Sequence, residues 1–134
     1  MDKQMITSKI IIAIDDDPAR YAHLSSLLLK HNIIIAPVQN PDAVEMLINT
    51  KAVIAIFLDH DMPVWNGQHY AKEILSQYSI PVCISSANPE GSKAMASILK
   101  EFQTPYKVIS VTETTPEERW LGFILDIAYA KSIS

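Results

Sequence analysis

Short apolar runs alternate along the chain with segments whose apolar residues recur at helical spacing. Five runs rich in β-branched residues predict strands, at positions 9–14, 33–36, 52–58, 81–84 and 106–111. Most of these runs are apolar throughout instead of alternating with polar residues. That pattern is typical of strands that are buried on both faces of a parallel sheet.

The helix starts are marked by a capping residue followed by proline at the first helical position. This pair occurs four times, at Asp17-Pro18, Asn40-Pro41, Asn88-Pro89 and Thr115-Pro116. A further helix is expected to start near Gly67. Strands and helices therefore alternate, and this order predicts an α/β protein in which helices cover both faces of a five-stranded, doubly wound parallel sheet.

Length, charge and hydropathy indicate a single-domain protein and argue against nucleic-acid and membrane partners. A chain of 134 residues forms one domain by default, here 1–134 with a core at about 9–130. The net charge of −4, without a basic block, argues against a nucleic-acid partner. No apolar stretch approaches the ~18 residues of a membrane span, and the first residues lack the apolar core of a signal peptide. We therefore expect a cytoplasmic protein without a membrane partner, and the single cysteine, Cys83, excludes a disulfide framework.

Polar residues follow three of the predicted strands. They are Asp15-Asp16-Asp17, Asp59-His60-Asp61 and Ser85-Ser86. Because the carboxyl ends of parallel strands meet at one edge of a sheet, Asp15, Asp16 and Asp59 are expected to converge and to raise one another's pKa values. A hard divalent cation relieves such repulsion, and oxygen ligands suit Mg²⁺. Helix capping is the alternative role for these residues, and it is the role that we expect for Asp17.

These segments resemble the receiver domain of two-component response regulators, of the kind found in chemotaxis regulators. The resemblance rests on the acidic run at 15–17 after an apolar strand, on the motif Asp-x-x-Met-Pro-x-x-x-Gly at 59–67, and on Ser85-Ser86 after the strand at 81–84. It covers about residues 9–130. It implies a flavodoxin-like fold, a three-layer α/β/α sandwich whose five parallel strands follow the order 2-1-3-4-5.

The resemblance also implies a role for each matching acidic residue. Asp59 would be the phosphoacceptor. Asp15 and Asp16 would hold Mg²⁺ together with Asp59, with Asp16 as a direct ligand and the backbone carbonyl of Asp61 as a further ligand. Phosphoryl transfer needs mainly positioning and charge neutralisation, and the cation supplies the neutralisation.

Two further roles follow from the resemblance, and one family feature is missing. Ser86 would bond the phosphoryl group and switch the neighbouring loop, and Tyr106 falls where receivers often keep an aromatic switch. Receivers also keep a lysine near the end of the fifth strand, but here that position falls on Ile109 or Ser110. Lys107 comes two or three residues too early, and by the period of two it faces the same way as Ile109, one pleat deeper.

Three functions remain open at this point. The first is a stand-alone receiver that takes a phosphoryl group from a histidine kinase or phosphotransfer protein and acts on a downstream protein target through its fourth helix, fifth strand and fifth helix. In such a receiver, His60, Asp61 and Lys107 would modulate the pocket.

The second function is a pseudo-receiver that binds partners without phosphorylation, which the missing lysine favours. The third is a small phosphohydrolase of the receiver-like type proposed to process cyclic phosphates, using Asp59, His60 and Asp61 with Mg²⁺. Of the three, we expect a signalling domain and not an enzyme.

Overall fold

Five parallel strands form a single sheet in the order β2-β1-β3-β4-β5. The computed structural model describes residues 8–86, 88–109, 122 and 124. The strands are β1 (Lys9–Ile14), β2 (Ile33–Pro37), β3 (Val53–Leu58), β4 (Val82–Ile84) and β5 (Tyr106–Val108). Both the number of strands and their order match the fold expected from the sequence.

Helices cover both faces of this sheet. They are α1 (Ala22–Leu29), α2 (Pro41–Ile48), α3 (Gly67–Glu73) and α4 (Pro89–Glu101), with 3₁₀ turns at Pro18–Tyr21 and Leu75–Gln77. Of the predicted fifth helix, only Gly122 and Ile124 are among the described residues, and both are helical. Thr115, its expected cap, lies outside the described residues.

The core consists of two apolar clusters, one on each face of the sheet. Side chains of α2, α3 and α4, such as Val44, Tyr70 and Met95, pack on one face. Leu24 and Leu28 of α1 pack on the other face. The central strands β1 and β3 contribute alternate residues to the two clusters, which explains why their sequences are apolar throughout.

Two of the predicted helix caps are confirmed and one is wrong. The side chain of Asn40 accepts hydrogen bonds from the backbone N–H groups of residues 42 and 43, and that of Asn88 accepts one from Gly91. Asp17 occupies the capping position of the first 3₁₀ turn, but its side chain makes no capping hydrogen bond. Its backbone N–H donates instead to the Asp15 carboxylate, at 2.9 Å, so the local turn is organised by Asp15.

The described part of the fifth strand differs from the prediction. β5 is an edge strand, paired only with β4 in this sheet, and Tyr106, Lys107 and Val108 are all exposed. Ile109, the residue that follows, is fully buried. Residues 110 and 111, the end of the predicted strand, lie outside the described residues. No helix in the described ranges has both the length and the hydropathy needed to cross a bilayer.

Candidate functional site

The register of the sheet brings the acidic residues together. Ile14 pairs with Leu58, and Leu58 pairs with Ile84, so the carboxyl ends of β1, β3 and β4 lie side by side. Asp15 and Asp59 come directly after the first two of these strands. Each therefore projects from the edge of the sheet, where the sequence predicted the site.

Three carboxylates form the cluster. One oxygen from each of Asp15, Asp16 and Asp59 lies within 4.8 Å of the other two. Asp15 and Asp59 are buried, whereas Asp16 is exposed. Burial raises the pKa of both Asp15 and Asp59, and the negative charge of Asp15 raises the pKa of Asp59 further.

The donors of this cluster fit a hard divalent cation. Within the described residues the group contains only carboxylates, with no histidine or cysteine. Oxygen donors of this kind suit Mg²⁺, whereas structural zinc sites use nitrogen and sulfur. A cation would also relieve the repulsion between the buried carboxylates.

Asp15 is held by four neighbours. Its Oδ1 accepts a hydrogen bond from the N–H of Asp17, as noted above. Its Oδ2 accepts a bond from the Tyr21 hydroxyl at 2.7 Å and lies 3.2 Å from Nη1 of Arg20. The side-chain amide of Gln39 also donates to the Asp15 backbone carbonyl at 2.9 Å. Asp15 is therefore a fixed carboxylate with a positive charge beside it.

Arg20 and Tyr21 also contact the end of β4. Nη1 of Arg20 donates to the Ser85 carbonyl at 3.1 Å, and the hydroxyl groups of Tyr21 and Ser85 lie 2.8 Å apart. Tyr21 is buried and stacks on Phe57 of β3, with ring centroids 5.1 Å apart. Neither Arg20 nor Tyr21 was predicted from the sequence to belong to the site. The available signal was an arginine, one of two in the chain, shortly after the acidic run at 15–17.

The Asp59 loop is packed closely against the start of α3. The backbone N–H of Gly67 donates to the His60 carbonyl at 3.0 Å. A Cβ atom at position 67 would lie 2.1 Å from the Asp59 carbonyl oxygen and 2.4 Å from Sδ of Met95. Only glycine allows this approach, so Gly67 helps to fix the backbone of Asp59.

His60 and Asp61 connect this loop to the start of α4. Nδ1 of His60 lies 2.8 Å from Oδ1 of Asp61, which also accepts a hydrogen bond from the Asn88 amide at 3.2 Å. These hydrogen bonds lower the pKa of the Asp61 carboxyl. The His60 ring packs against Gly91, where an added Cβ would lie 2.4 Å from Cγ of the ring. The side chain of Asp61 is largely exposed and does not join the carboxylate cluster.

Three further residues predicted for the site are Ser86, Tyr106 and Lys107, which lie on or after β4 and β5. Ser86 is buried after β4, and its Oγ accepts a hydrogen bond from the Asn88 N–H at 3.1 Å, a bond that uses a lone pair of the oxygen and not the hydroxyl hydrogen. Tyr106 lies at the start of β5, two residues before the strand ends. Lys107 pairs in register with Cys83 and its charge opposes the effect of burial, which raises the pKa of that thiol to about 12.

A family model matches most of the chain. The model described as "Response regulator receiver domain" matches residues 11–104. A protein-glutamate methylesterase/protein-glutamine glutaminase of Rhodopseudomonas palustris is 30% identical over 100 residues, which are 72% of this chain. The matched region is only 28% of the length of that relative.

Solved structures show the same fold. A CheY-like receiver domain protein from Methanospirillum hungatei superposes with a TM-score of 0.70 at 11% identity, covering 96% of this chain and all of that one. The response regulatory domain of mrkE from Klebsiella pneumoniae gives a TM-score of 0.67 at 21% identity, covering 93% of this chain and 99% of that one. At these identities the likeness establishes the fold.

Proposed function

The chain belongs to the response regulator receiver domain family, and on this premise we propose that it accepts a phosphoryl group on Asp59. The observation that carries the proposal is the position of Asp59 at the carboxyl end of the central strand. There its carboxylate lies within a few ångströms of Asp15 and Asp16. A carboxylate in such a cluster can serve as an acceptor when the surrounding charge is neutralised.

In the proposed reaction a carboxylate oxygen of Asp59 attacks the phosphorus of a phosphohistidine. The new bond is P–O, the bond that breaks is P–N, and the imidazole leaves with the electron pair and takes up a proton. Asp59 must be ionised to act, so the effect of burial and of Asp15 on its pKa works against the reaction. The charge of Arg20 works in the opposite direction.

Asp15, Asp16 and Asp59 are the residues that would hold Mg²⁺, and the Asp61 carbonyl remains the fourth predicted ligand. When bound, the cation would neutralise negative charge on the cluster and on the transferred group. The chain itself holds Asp15 in place through Tyr21 and offers the Ser86 hydroxyl as a donor to a phosphoryl oxygen.

Receiver domains work between a phosphodonor protein and a target, and we propose the same for this chain. The donor would be a histidine kinase or a phosphotransfer protein. For the target, the predicted surface is that of α4, β5 and the fifth helix. In the described part of this surface Phe102, Tyr106 and Val108 are exposed apolar side chains. Exposed apolar residues grouped in this way favour a protein contact.

Acetyl phosphate with Mg²⁺ is the test of this proposal. We expect intact mass to rise by one phosphoryl group, and peptide mapping after reduction with borohydride to locate the label at Asp59. Asp59→Asn should remove the label, whereas Asp42→Asn, which changes an exposed acidic residue of α2, should retain it. If the protein binds Mg²⁺ but its mass does not change under these conditions, the result would instead support a pseudo-receiver that binds partners without phosphorylation.

A further inference from the structure

Arg20 joins the ends of two strands that are not neighbours. Its Nη1 lies 3.2 Å from Oδ2 of Asp15, after β1, and 3.1 Å from the carbonyl oxygen of Ser85, after β4. The sheet order places β3 between these two strands. A side chain that contacts both ends must therefore cross the end of β3, where Asp59 lies.

The charges in the cluster agree with this position. Arg20 lowers the pKa of both Asp15 and Asp59, against the burial that raises each of them. The Arg20 side chain is 24% exposed, so it reaches the pocket from its rim. The adjacent Tyr21 is buried and bonded to Asp15, which anchors the 3₁₀ turn that carries the guanidinium.

The described residues of the fifth strand place no positive charge at the end of the sheet where Arg20 lies. Ile109 is fully buried in the apolar cluster that includes Phe57 and Cys83. Lys107 lies one pleat deeper, at the level of Cys83. Of the positive charges in the described part of the chain, the one that lowers the pKa of Asp59 is that of Arg20, in the turn after β1.

We propose that Arg20 is the residue whose positive charge binds the phosphoryl group on Asp59. This inference rests on the function proposed above, and it assigns to Arg20 a positive charge that the described residues of the fifth strand do not place at the end of the sheet beside Asp59. A guanidinium carries five N–H donors in a planar fork that suits phosphate oxygens. Only Nη1 is engaged by acceptors among the described residues, so Arg20 can reach a phosphoryl oxygen while it keeps Asp15.

Trifluoroberyllate, a phosphoryl analogue, tests the assignment without turnover. Its affinity is measured by ¹⁹F NMR in the presence of Mg²⁺, and Mg²⁺ affinity is measured separately by calorimetry without the analogue. Arg20→Gln should weaken analogue binding by about tenfold or more, the effect of losing a charged hydrogen bond. The same variant should bind Mg²⁺ at least as tightly as the parent, because a positive charge beside Asp15 has gone. The matched control is Lys93→Gln, which removes an exposed charge from α4 and should change neither affinity.

The two affinities separate the outcomes. Equal analogue binding by the parent and Arg20→Gln would overturn the role of Arg20 and leave the proposed function standing. Loss of both affinities in Arg20→Gln would also overturn it, since that result indicates a structural role. A parent that binds Mg²⁺ but forms no analogue adduct would overturn the proposed function and this inference with it.

A measurement on the parent protein keeps the inference testable if Arg20→Gln does not fold. The ¹⁵N resonances of the Arg20 guanidinium should shift when the analogue binds. Unchanged resonances in a protein that forms the adduct would overturn the inference. Lys107→Gln adds a direct comparison, because an analogue affinity that falls with this variant and not with Arg20→Gln would assign the role to Lys107.

Discussion

Replacing Gly67 by alanine is expected to destabilise the fold at the point where it supports Asp59. The added Cβ would lie 2.1 Å from the Asp59 carbonyl oxygen, 2.9 Å from its carbonyl carbon and 2.4 Å from Sδ of Met95. The Met95 side chain can move, but the Asp59 backbone is fixed by a hydrogen bond from its N–H to the Ile14 carbonyl, at 3.0 Å. The clash therefore falls on backbone atoms that cannot yield without displacing the acidic site.

The magnitude follows from two opposing effects. Overpacking of a tight site costs about 1–3 kcal/mol, and here the upper half of that range applies because the neighbour is backbone. Gly67 does not have a positive φ, so alanine at this helix start gains up to about 1 kcal/mol in conformational terms. The net loss is about 2 kcal/mol, which for a chain of 134 residues lowers the Tm by about 7 °C.

Two other glycines supply matched comparisons. At Gly91 the added Cβ meets the His60 ring at 2.4 Å, but a side chain can rotate away, so Gly91→Ala should cost about 1 kcal/mol. At Gly122 no atom of the described residues lies within 4 Å of the added Cβ, and the residue is helical, so alanine should stabilise by up to about 1 kcal/mol. The order of stability should therefore be Gly122→Ala, then Gly91→Ala, then Gly67→Ala.

Thermal and urea unfolding followed by circular dichroism measure this order. Calorimetry with Mg²⁺ then shows whether Gly67→Ala also weakens the acidic site, as expected if the Asp59 backbone moves. A Gly67→Ala variant with the same Tm as the parent protein would refute the close approach to Asp59. So would a Gly91 variant that is the less stable of the two.

The other predictions concern the charges of the cluster. Asp59→Asn should stabilise the protein in chelator by about 1 kcal/mol, because it relieves repulsion from Asp15; a clear loss in urea unfolding would mean that Asp59 serves as a structural hydrogen-bond partner. The pKa values of Asp15 and Asp59 are raised in the folded protein, so the native state binds more protons than the unfolded chain. Stability in chelator should therefore rise as pH falls from neutrality through the folded pKa values, and less so in Asp59→Asn; urea unfolding with parallel pH dependence in the two proteins would contradict this. Millimolar Mg²⁺ should raise the parent Tm by mass action, and Asp59→Asn should lose most of that gain; an unchanged Tm in the parent would argue against the metal site.

The fold was predictable because its signals are local. The apolar runs predicted most of the described strand boundaries with an error of one residue or less. Proline after Asn40 and after Asn88 predicted two helix starts. One cap prediction failed where one local hydrogen bond replaces another. Asp17 has the sequence context of a cap, but the turn after β1 is organised by bonds to Asp15 instead.

The acidic cluster was also predictable, because the topology of a parallel sheet places strand ends side by side. The groups around it were not. Arg20 and Tyr21 reach Asp15 and Ser85 across the sheet, and a contact that spans 65 residues of sequence leaves no periodic pattern. The closeness of Gly67 to Asp59 is likewise a matter of packing, and the sequence showed it only as a glycine at a helix start.

The position of the positive charge determines which elements of the fold a phosphoryl group on Asp59 would contact. A cation on the fifth strand would connect a phosphoryl group directly to the edge strand that carries Tyr106. In this chain Arg20 connects the pocket to the ends of β1 and β4, both of which lie inside the sheet. One series of polar contacts leads from the pocket through Ser86, Asn88 and Asp61 to the start of α4. A second leads from the Asp15 carbonyl through Gln39 to the hydroxyl of Tyr70 in α3. Because Ser86 is the proposed donor to the phosphoryl group, a phosphoryl group on Asp59 would act first on the residues between β4 and α4. β5 would respond through its pairing with β4 and through the packing of α4 against it.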